Sequence, residues 1–447
     1  MPASYYFYMC WSWQYIFLIV GITIIDYTLA LLLEKTDKRG KRRAIMATAL
    51  ITNLGLLFYY KYFNFALEST EGLLQILGIP QILPRYDILL PVGISFFTFQ
   101  ALAYFFDVYT GKRKAEHHLG YFALFVSFFP QLVAGPIERS TNLLPQFFEK
   151  HKFNYDDAVQ GLRLAAWGMF KKIVVADRAA EIVNSIYNSP YAHSGWSLIL
   201  ATVVFAFQIF CDFSGYSDIA IGVGRVMGFR LRKNFNRPYS AKSVADFWRR
   251  WHISLSTWFK DYVYIPLGGS RVTMARWAAN ALVVFLLSGL WHGADWTFVI
   301  WGAMLGAWQV LGRFTEKIRK VLWKVTKLDK IPYLRGAVSI IITFAFICFS
   351  WIFFRANSLA DANFIISHLF TGLTWVNFKA AITSLGRSDM LILALSILAM
   401  EFGQWVVSKK YVGLWKTSAR WVAYVGLIAW IFIFAHYGSQ EFIYFQF

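Results

Sequence analysis

Apolar runs of about 20 residues recur from one end of this 447-residue chain to the other. An α-helix of that length crosses the ~30 Å hydrocarbon layer of a bilayer, where only helices and closed barrels satisfy their own backbone hydrogen bonds. Charged residues make up 15% of the chain and hydrophobic residues 57%, whereas a soluble protein carries roughly 25% charged residues. The sequence therefore predicts an all-α polytopic integral membrane protein, with one membrane domain over residues 1–447.

The net charge of +19 does not indicate nucleic-acid binding, because the basic residues fall in short clusters between the apolar runs. Such clusters are typical of cytoplasmic loops that face membrane lipids with anionic headgroups. Residues 34–43, 112–114 and 313–335 are the clearest examples. The three cysteines stand far apart without a metal-binding spacing, so no metal site is predicted.

Several segments are long and apolar enough to cross the membrane. They are residues 13–33, 44–63, 89–109, 196–227, 337–354, 391–407 and 421–436. Residues 119–135 are also apolar but end at a Gly-Pro breaker. Residues 155–183 carry too many charges for a lipid-facing span and predict an amphipathic helix with Lys171 and Lys172 at the interface. Aromatic and basic residues alternate in 246–262, which predicts a segment in the cytoplasmic interface.

Residues 277–312 form an apolar run whose two flanks are both basic. If both flanks are cytoplasmic, the run must enter the membrane and return. At ~1.5 Å per residue, about 15 residues each way rise ~22 Å. The tip of this hairpin is then residues 291–296, which places His292 deep in the membrane and nearer its outer face.

His292 is the strongest candidate for a catalytic residue, because an ionisable group within the membrane is a functional-site hypothesis by default. The alternative is a histidine whose hydrogen bonds are satisfied at a helix end. The glycines beside it allow another backbone or a substrate to come close, and Trp291 and Trp296 could wall a pocket. A neutral imidazole can take a proton from a hydroxyl during acyl transfer. His252 is a second candidate, positioned to contact a donor or hold an acyl group.

The basic residues Arg249, Arg250 and Lys260 could pair with the phosphates of a nucleotide-like donor. Contact with lipid headgroups is the alternative reading of these residues. For Asp212 and Asp218, hydrogen bonding between helices is favoured over catalysis.

Two long motifs stand in order along the chain, at residues 246–258 and 290–294, with Leu267-Gly268-Gly269 between them. With them the chain resembles the membrane-bound O-acyltransferase (MBOAT) family, in its bacterial alginate O-acetylation branch. Further pieces that resemble this family are residues 90–96, 135–137, 212–218, 234–239 and 442–447.

The resemblance implies an MBOAT fold of about 9 to 11 transmembrane helices, with re-entrant and interfacial helices around a central tunnel. It implies a catalytic core over roughly residues 88–312. The family's signature histidine falls on His292 and its second histidine on His252. The residues expected to bind substrate are Trp248, Arg249, Arg250, Trp291, Asp212, Tyr216 and Asn236.

The resemblance also implies a reaction. An acetyl group from acetyl-CoA, which acts as a donor and not as a bound cofactor, passes from the cytoplasm towards an extracytoplasmic acceptor. An exported, alginate-like polysaccharide is the expected acceptor, with an extracytoplasmic acetyltransferase partner, in the bacterial cytoplasmic (inner) membrane. Relatives in this branch are expected to carry one more apolar helix before residues 3–8, so the place of the N-terminus stays open.

Four alternatives remain. Peptidoglycan O-acetylation and D-alanyl transfer to teichoic acid keep the chemistry and change the acceptor. A secondary transporter would require a pair of interrupted helices in two related halves, whereas the chain has one interrupted hairpin and no repeat. A scaffold of a secretion complex would leave His292 dispensable.

Overall fold

A computed structural model of the chain describes residues 1–79, 81–409, 415–436, 438 and 441–443. Within these residues the secondary structure is helical, without strands. The α-helices are α1 Pro2–Met9, α2 Ile16–Glu34, α3 Arg39–Leu57, α4 Phe63–Ile76, α5 Ile94–Tyr109, α6 Leu119–Ser127, α7 Phe129–Leu132, α8 Ser140–Leu143, α9 Tyr155–Met169, α10 Asp177–Tyr187, α11 Trp196–Val226, α12 Val244–Trp248, α13 Ile253–Phe259, α14 Met274–His292, α15 Trp296–Phe314, α16 Glu316–Val325, α17 Pro332–Arg355, α18 Leu359–His368, α19 Trp375–Ser384, α20 Arg387–Ser408 and α21 Thr417–Phe434.

Seven helices in the described part of the chain are long and apolar enough to cross a bilayer. They are Trp13–Glu34, Arg39–Ile76, Trp196–Val226, Met274–His292, Pro332–Arg355, Arg387–Ser408 and Thr417–Phe434. The all-α polytopic membrane fold is thereby confirmed. The predicted span at 89–109 is shorter in the structure, because α5 begins only at Ile94. The total of about 9 to 11 transmembrane helices stays a prediction.

The second span is longer than predicted. α3 continues through a π-helical turn, Phe58–Tyr62, into α4 without a break. The predicted end of this span at residue 63 is therefore wrong. The helix ends near Gly78, whose backbone is left-handed (φ 76°), a conformation that favours glycine and stops a helix.

α9 and α10 also form one continuous helix through a π-helical turn, Phe170–Ala176. This helix packs along α11, and its two lysines pair with carboxylates; their place at the membrane interface stays a prediction. The Lys171 ammonium lies 2.6 Å from Asp218, and Lys172 lies 2.8 Å from both Asp177 and Asp212. The positive charges of both lysines are therefore balanced by carboxylates, and two of these, Asp212 and Asp218, lie on the neighbouring helix α11.

Glycines let α9 and α11 come into backbone contact. A Cβ atom added to Gly161 would lie 2.5 Å from the carbonyl oxygen of Gly222, and one on Gly168 would lie 2.5 Å from that of Gly215. Small residues at a helix crossing are a common means of packing transmembrane helices closely. This close crossing brings the two lysines within reach of the α11 carboxylates.

The hairpin predicted over residues 277–312 is present as α14 and α15, joined by residues 293–295. Each arm has 19 residues, which at ~1.5 Å per residue gives about 28 Å. The arms are therefore longer than the predicted ~22 Å, because α14 begins at Met274 and α15 continues to Phe314. A Cβ atom on Gly289 would lie 2.3 Å from the Phe298 carbonyl oxygen, so the backbone that approaches this glycine belongs to α15.

The segment from α12 to α13 is largely buried in the protein, and its place in the cytoplasmic interface stays a prediction. Phe247, Trp251 and His252 are buried, and the Trp251 ring lies 5.2 Å from that of Trp351 on α17. Tertiary packing bends the segment so that Phe247 and Trp251 face the protein. Residues 444–447, the end of the family resemblance at residues 442–447, lie outside the described residues.

Candidate active site

His292 is the last residue of α14, and its side chain is buried in the helix bundle. Its ring centroid lies 5.1 Å from that of Trp301 and 5.4 Å from that of Phe354. The side chain of Asp295 accepts a hydrogen bond from the Thr297 N–H (2.7 Å) and so caps the start of α15. The tip of the hairpin therefore presents the imidazole to protein rather than to lipid.

His252 lies between α12 and α13 with a left-handed backbone (φ 41°), and it is fully buried. A left-handed backbone is uncommon for a residue other than glycine and persists only where the surrounding structure holds it. Two backbone hydrogen bonds do so: the Ile253 N–H donates to the Asn234 carbonyl, and the Asn236 N–H donates to the Arg250 carbonyl, both at 2.9 Å. The segment after α11 thus braces the bend that carries His252.

The side chain of Asn234 determines which nitrogen of His252 carries the proton. Its Nδ2 donates to the Ser217 hydroxyl (3.2 Å), so its Oδ1 is the acceptor. That oxygen accepts from the Ser254 hydroxyl (3.0 Å) and lies 3.2 Å from Nδ1 of His252. Nδ1 must therefore be the protonated nitrogen, and Nε2 keeps a lone pair. Within the described residues, this buried Nε2 has no hydrogen-bond partner.

The two histidines lie close together in an aromatic enclosure. Their ring centroids are 6.4 Å apart. The ring of Trp291 lies 5.0 Å from His292 and 5.7 Å from His252, while Phe96 and Phe213 contact His252 from other sides. The structure thus brings together three residues that the sequence analysis selected: Trp291, His252 and His292.

Trp291 also lines two cavities. One, of about 260 Å³, contains the polar side chains Lys61, Ser95 and Glu441. The other, of about 630 Å³, has an almost entirely apolar lining and lies between α3–α4 and the helices α5, α13 and α14. Trp296, the second tryptophan predicted to wall a pocket, lines the apolar cavity.

Trp248 packs against Trp301, with ring centroids 5.9 Å apart. Arg249 is exposed, Arg250 is half-buried, and both pair with Asp246, at 3.4 and 3.1 Å. Partial burial alone would raise the pKa of Asp246, but the hydrogen bond from Arg250 and the charges of both arginines lower it overall. This carboxylate therefore stays ionised at neutral pH and orients both guanidinium groups.

Asp212 and Tyr216 do not contact either histidine among the described residues. The carboxylate of Asp212 pairs with Lys172 through one oxygen and accepts the Ile443 N–H through the other (2.8 Å). Tyr216 packs against Phe442, with ring centroids 5.4 Å apart. Both residues hold the C-terminal segment against α11, which agrees with the structural reading of Asp212 favoured above.

Asn236 is exposed, and its described hydrogen bond is the one from its backbone to Arg250. The neighbouring Asn234, which the sequence does not predict as a site residue, is the one that contacts His252. Lys61 was also missed, although a lone lysine inside the predicted span 44–63 was a recognisable signal. No sequence signal distinguishes Asn234 from Asn236.

The described residues contain no group of three or more His, Cys, Asp or Glu side chains that could hold a metal ion. What the site offers is an imidazole with a free lone pair, a second imidazole beside it, and aromatic walls that exclude water. Such an arrangement can move a proton to or from a hydroxyl or thiol.

Comparison with known proteins agrees with this chemistry. The profile of the membrane-bound O-acyltransferase family (MBOAT) matches residues 113–354. A probable alginate O-acetylase of Pseudomonas aeruginosa is 35% identical over 403 residues, covering 90% of this chain and 74% of the relative. A peptidoglycan O-acetyltransferase of Helicobacter pylori is 37% identical over 388 residues, covering 80% and 71%. A teichoic acid D-alanyltransferase of Bacillus subtilis is 29% identical over 290 residues, covering 61% and 71%.

Proposed function

Because this chain belongs to the membrane-bound O-acyltransferase family, we propose that it moves acetyl groups from cytoplasmic acetyl-CoA across the membrane for the O-acetylation of an exported, alginate-like polysaccharide. The family assignment makes the chain a membrane O-acyltransferase; the donor, the acceptor and the residue roles are the proposed part. The observation that carries the proposal is the buried pair of His252 and His292 inside an aromatic enclosure.

His292 acts as the catalytic base in this proposal. It accepts the proton of the acceptor hydroxyl while that oxygen attacks the thioester carbonyl. The carbon–sulfur bond then breaks, the ester forms, and the proton passes to the sulfur of the leaving CoA. His252 supports the reaction, because its fixed tautomer offers Nε2 as an acceptor beside the reacting groups. Proton transfer by positioned side chains typically accelerates such reactions by about 10²- to 10⁴-fold.

The donor would reach the site from the side of α12. The exposed Arg249 and the half-buried Arg250, both oriented by Asp246, suit the phosphates of CoA. Trp248, whose ring packs against that of Trp301, would contact the donor on its way to Trp291. The basic clusters place this side in the cytoplasm, and the proposed location is the bacterial cytoplasmic (inner) membrane.

The acceptor would enter from the opposite face. The cavity of about 260 Å³ beside Trp291 includes Trp11 and the residues that begin α5, and the charge pattern of the loops puts these ends on the extracytoplasmic side. A hydroxyl group of an extracytoplasmic acetyltransferase partner would be this acceptor, and the partner would then transfer the acetyl group to the polysaccharide.

Peptidoglycan is a second candidate acceptor. The relative named for peptidoglycan is 37% identical, and the relative named for alginate is 35% identical, so identity alone does not favour either acceptor. The relative named for teichoic acid D-alanylation is less similar and covers less of the chain, which makes a D-alanyl donor the weaker candidate.

The test uses membranes that contain the protein, with labelled acetyl-CoA or a D-alanyl-loaded carrier protein as the donor. We expect acetyl transfer with the first donor only, and its loss in His292→Ala while the protein still inserts and accumulates. His193→Ala is the matched control, since this histidine lies in the loop between α10 and α11. An active His292→Ala variant would refute the role of His292. Mass spectrometry of surface glycans from a deletion strain distinguishes the two acceptors.

A further inference from the structure

The last turn of α14 carries His292 and ends inside the protein. The final carbonyl groups of any α-helix lack partners within the helix, so a buried helix end needs donors from elsewhere. At this end the carbonyls of Leu290, Trp291 and His292 point towards the long helix of α3 and α4.

Two adjacent side chains of that helix supply the donors. The Lys61 ammonium donates to the carbonyl oxygens of Trp291 (3.0 Å) and His292 (2.8 Å). The Tyr62 hydroxyl donates to the carbonyl oxygen of Leu290 (2.7 Å). Three consecutive carbonyls of the turn that ends at His292 are therefore capped by one short segment, about 230 residues earlier in the chain.

The electrostatics of the contact are favourable. The C-terminal end of a helix carries a partial negative charge, which a cation stabilises, most strongly where water is scarce. Within the described residues, no carboxylate pairs with Lys61, so its described partners are the two carbonyls. A lysine inside a membrane helix is expensive to place and marks a functional site by default.

The backbone around Lys61 is specialised as well. Lys61 and Tyr62 close the π-helical turn between α3 and α4. Such turns often occur at functional sites, because the extra residue redirects the side chains that follow.

The capped turn also forms part of the wall of the smaller of the two cavities beside Trp291, the one of about 260 Å³. Lys61 and Trp291 both line this cavity. A helix end beside an open space can fray into it unless its carbonyls are held. The lysine thus fixes the backbone of the catalytic histidine where substrate would approach.

We propose that Lys61, assisted by Tyr62, is a positioning residue that caps the last turn of α14 and thereby holds His292 in its reactive place. This inference rests on the role of His292 in acyl transfer proposed above. It assigns Lys61 no part in the chemical step.

The test compares Lys61→Met and Lys61→Arg with the wild type, and Tyr62→Phe with Tyr59→Phe. Tyr59 is the matched control, since it lies on the same π-helical turn, is half exposed and has no described hydrogen bond. Two quantities are measured on each purified protein in detergent. One is kcat and KM for acetyl-CoA. The other is amide hydrogen exchange in the peptide that contains residues 286–294.

We expect Lys61→Met to lower kcat about 100-fold, the size of effect that a 1 Å misplacement of a reacting group can produce. KM for acetyl-CoA should stay unchanged, and exchange in the peptide should become faster. Tyr62→Phe should shift both quantities in the same direction but less, Lys61→Arg should recover part of the loss, and Tyr59→Phe should match the wild type.

Faster exchange with an unchanged kcat would overturn the proposal, and so would a lower kcat with unchanged exchange, which would point to direct contact with substrate. Unchanged values of both would also overturn it. Exchange is measurable whether or not the protein uses acetyl-CoA. A wild type without acetyl transfer but with the expected exchange pattern would therefore count against the proposed function and not against the cap.

Discussion

Lys172 and its two aspartate partners should contribute more to stability than any other ion pair in the described residues. The Lys172 ammonium lies 2.8 Å from a carboxylate oxygen of Asp177 and 2.8 Å from one of Asp212, and both carboxylates are buried. Lys172→Met removes the cation and leaves two buried negative charges next to each other. We expect this substitution to weaken the packing of α9–α10 on α11.

The magnitude follows from the geometry. At an effective dielectric constant of ~20, two unit charges about 4 Å apart attract by about 4 kcal/mol. The cost of removing both charges from water offsets much of this attraction. Removing one partner of a buried pair typically lowers stability by about 3–5 kcal/mol, because the remaining charge stays buried without compensation. We therefore expect Lys172→Met to lower the free energy of unfolding by about 3–5 kcal/mol.

The assay is unfolding by SDS in mixed micelles, followed by tryptophan fluorescence. The triple variant Lys172→Met, Asp177→Asn, Asp212→Asn removes all three charges and should recover most of the loss, since neutral replacements of buried ion pairs are often tolerated. Asn at position 212 can still accept the hydrogen bond from Ile443. Lys320→Met is the control, because its pair with Glu316 is exposed, and such pairs contribute little. A wild-type stability for Lys172→Met would refute the reasoning, as would a triple variant no more stable than the single one.

Two further predictions concern residues that position the site. Asn234→Ala should lower kcat by about 10- to 100-fold with unchanged protein yield, because the His252 ring loses the acceptor that fixes its tautomer; steady-state kinetics with unchanged activity would contradict this. Gly168→Ala should lower the free energy of unfolding by about 1–3 kcal/mol, since its Cβ atom would lie 2.5 Å from a backbone oxygen of α11. Gly426→Ala, which has no atom within 4 Å of the added Cβ, is the control, and an equal effect of both substitutions on SDS unfolding would argue against close packing as the cause.

The fold class and the place of the hairpin could be predicted from local pattern alone. Long apolar runs specify membrane helices because the bilayer, not the rest of the protein, is the solvent that selects them. The basic flanks of residues 277–312 were enough to place the tip of the hairpin near His292, since the chain has to return to the side of the membrane from which it entered. Helix ends were less predictable: nothing in the hydrophobic pattern of residues 64–76 distinguishes a loop from the helix that continues there.

What the sequence by itself determined is therefore most of the membrane helices, the hairpin, and the place of His292 at the tip of that hairpin. Only the tertiary structure decided which partner each polar group meets. Lys171 and Lys172 find carboxylates on α10 and α11, Asn234 rather than Asn236 reaches His252, and Lys61 caps α14 from a helix far away in sequence. The physical reason is that the hydrophobic pattern of a helix can be read from the residues along that helix. A buried charge or hydrogen-bonding group instead needs one partner within about 3 Å. The packing of the helices decides which residue becomes that partner.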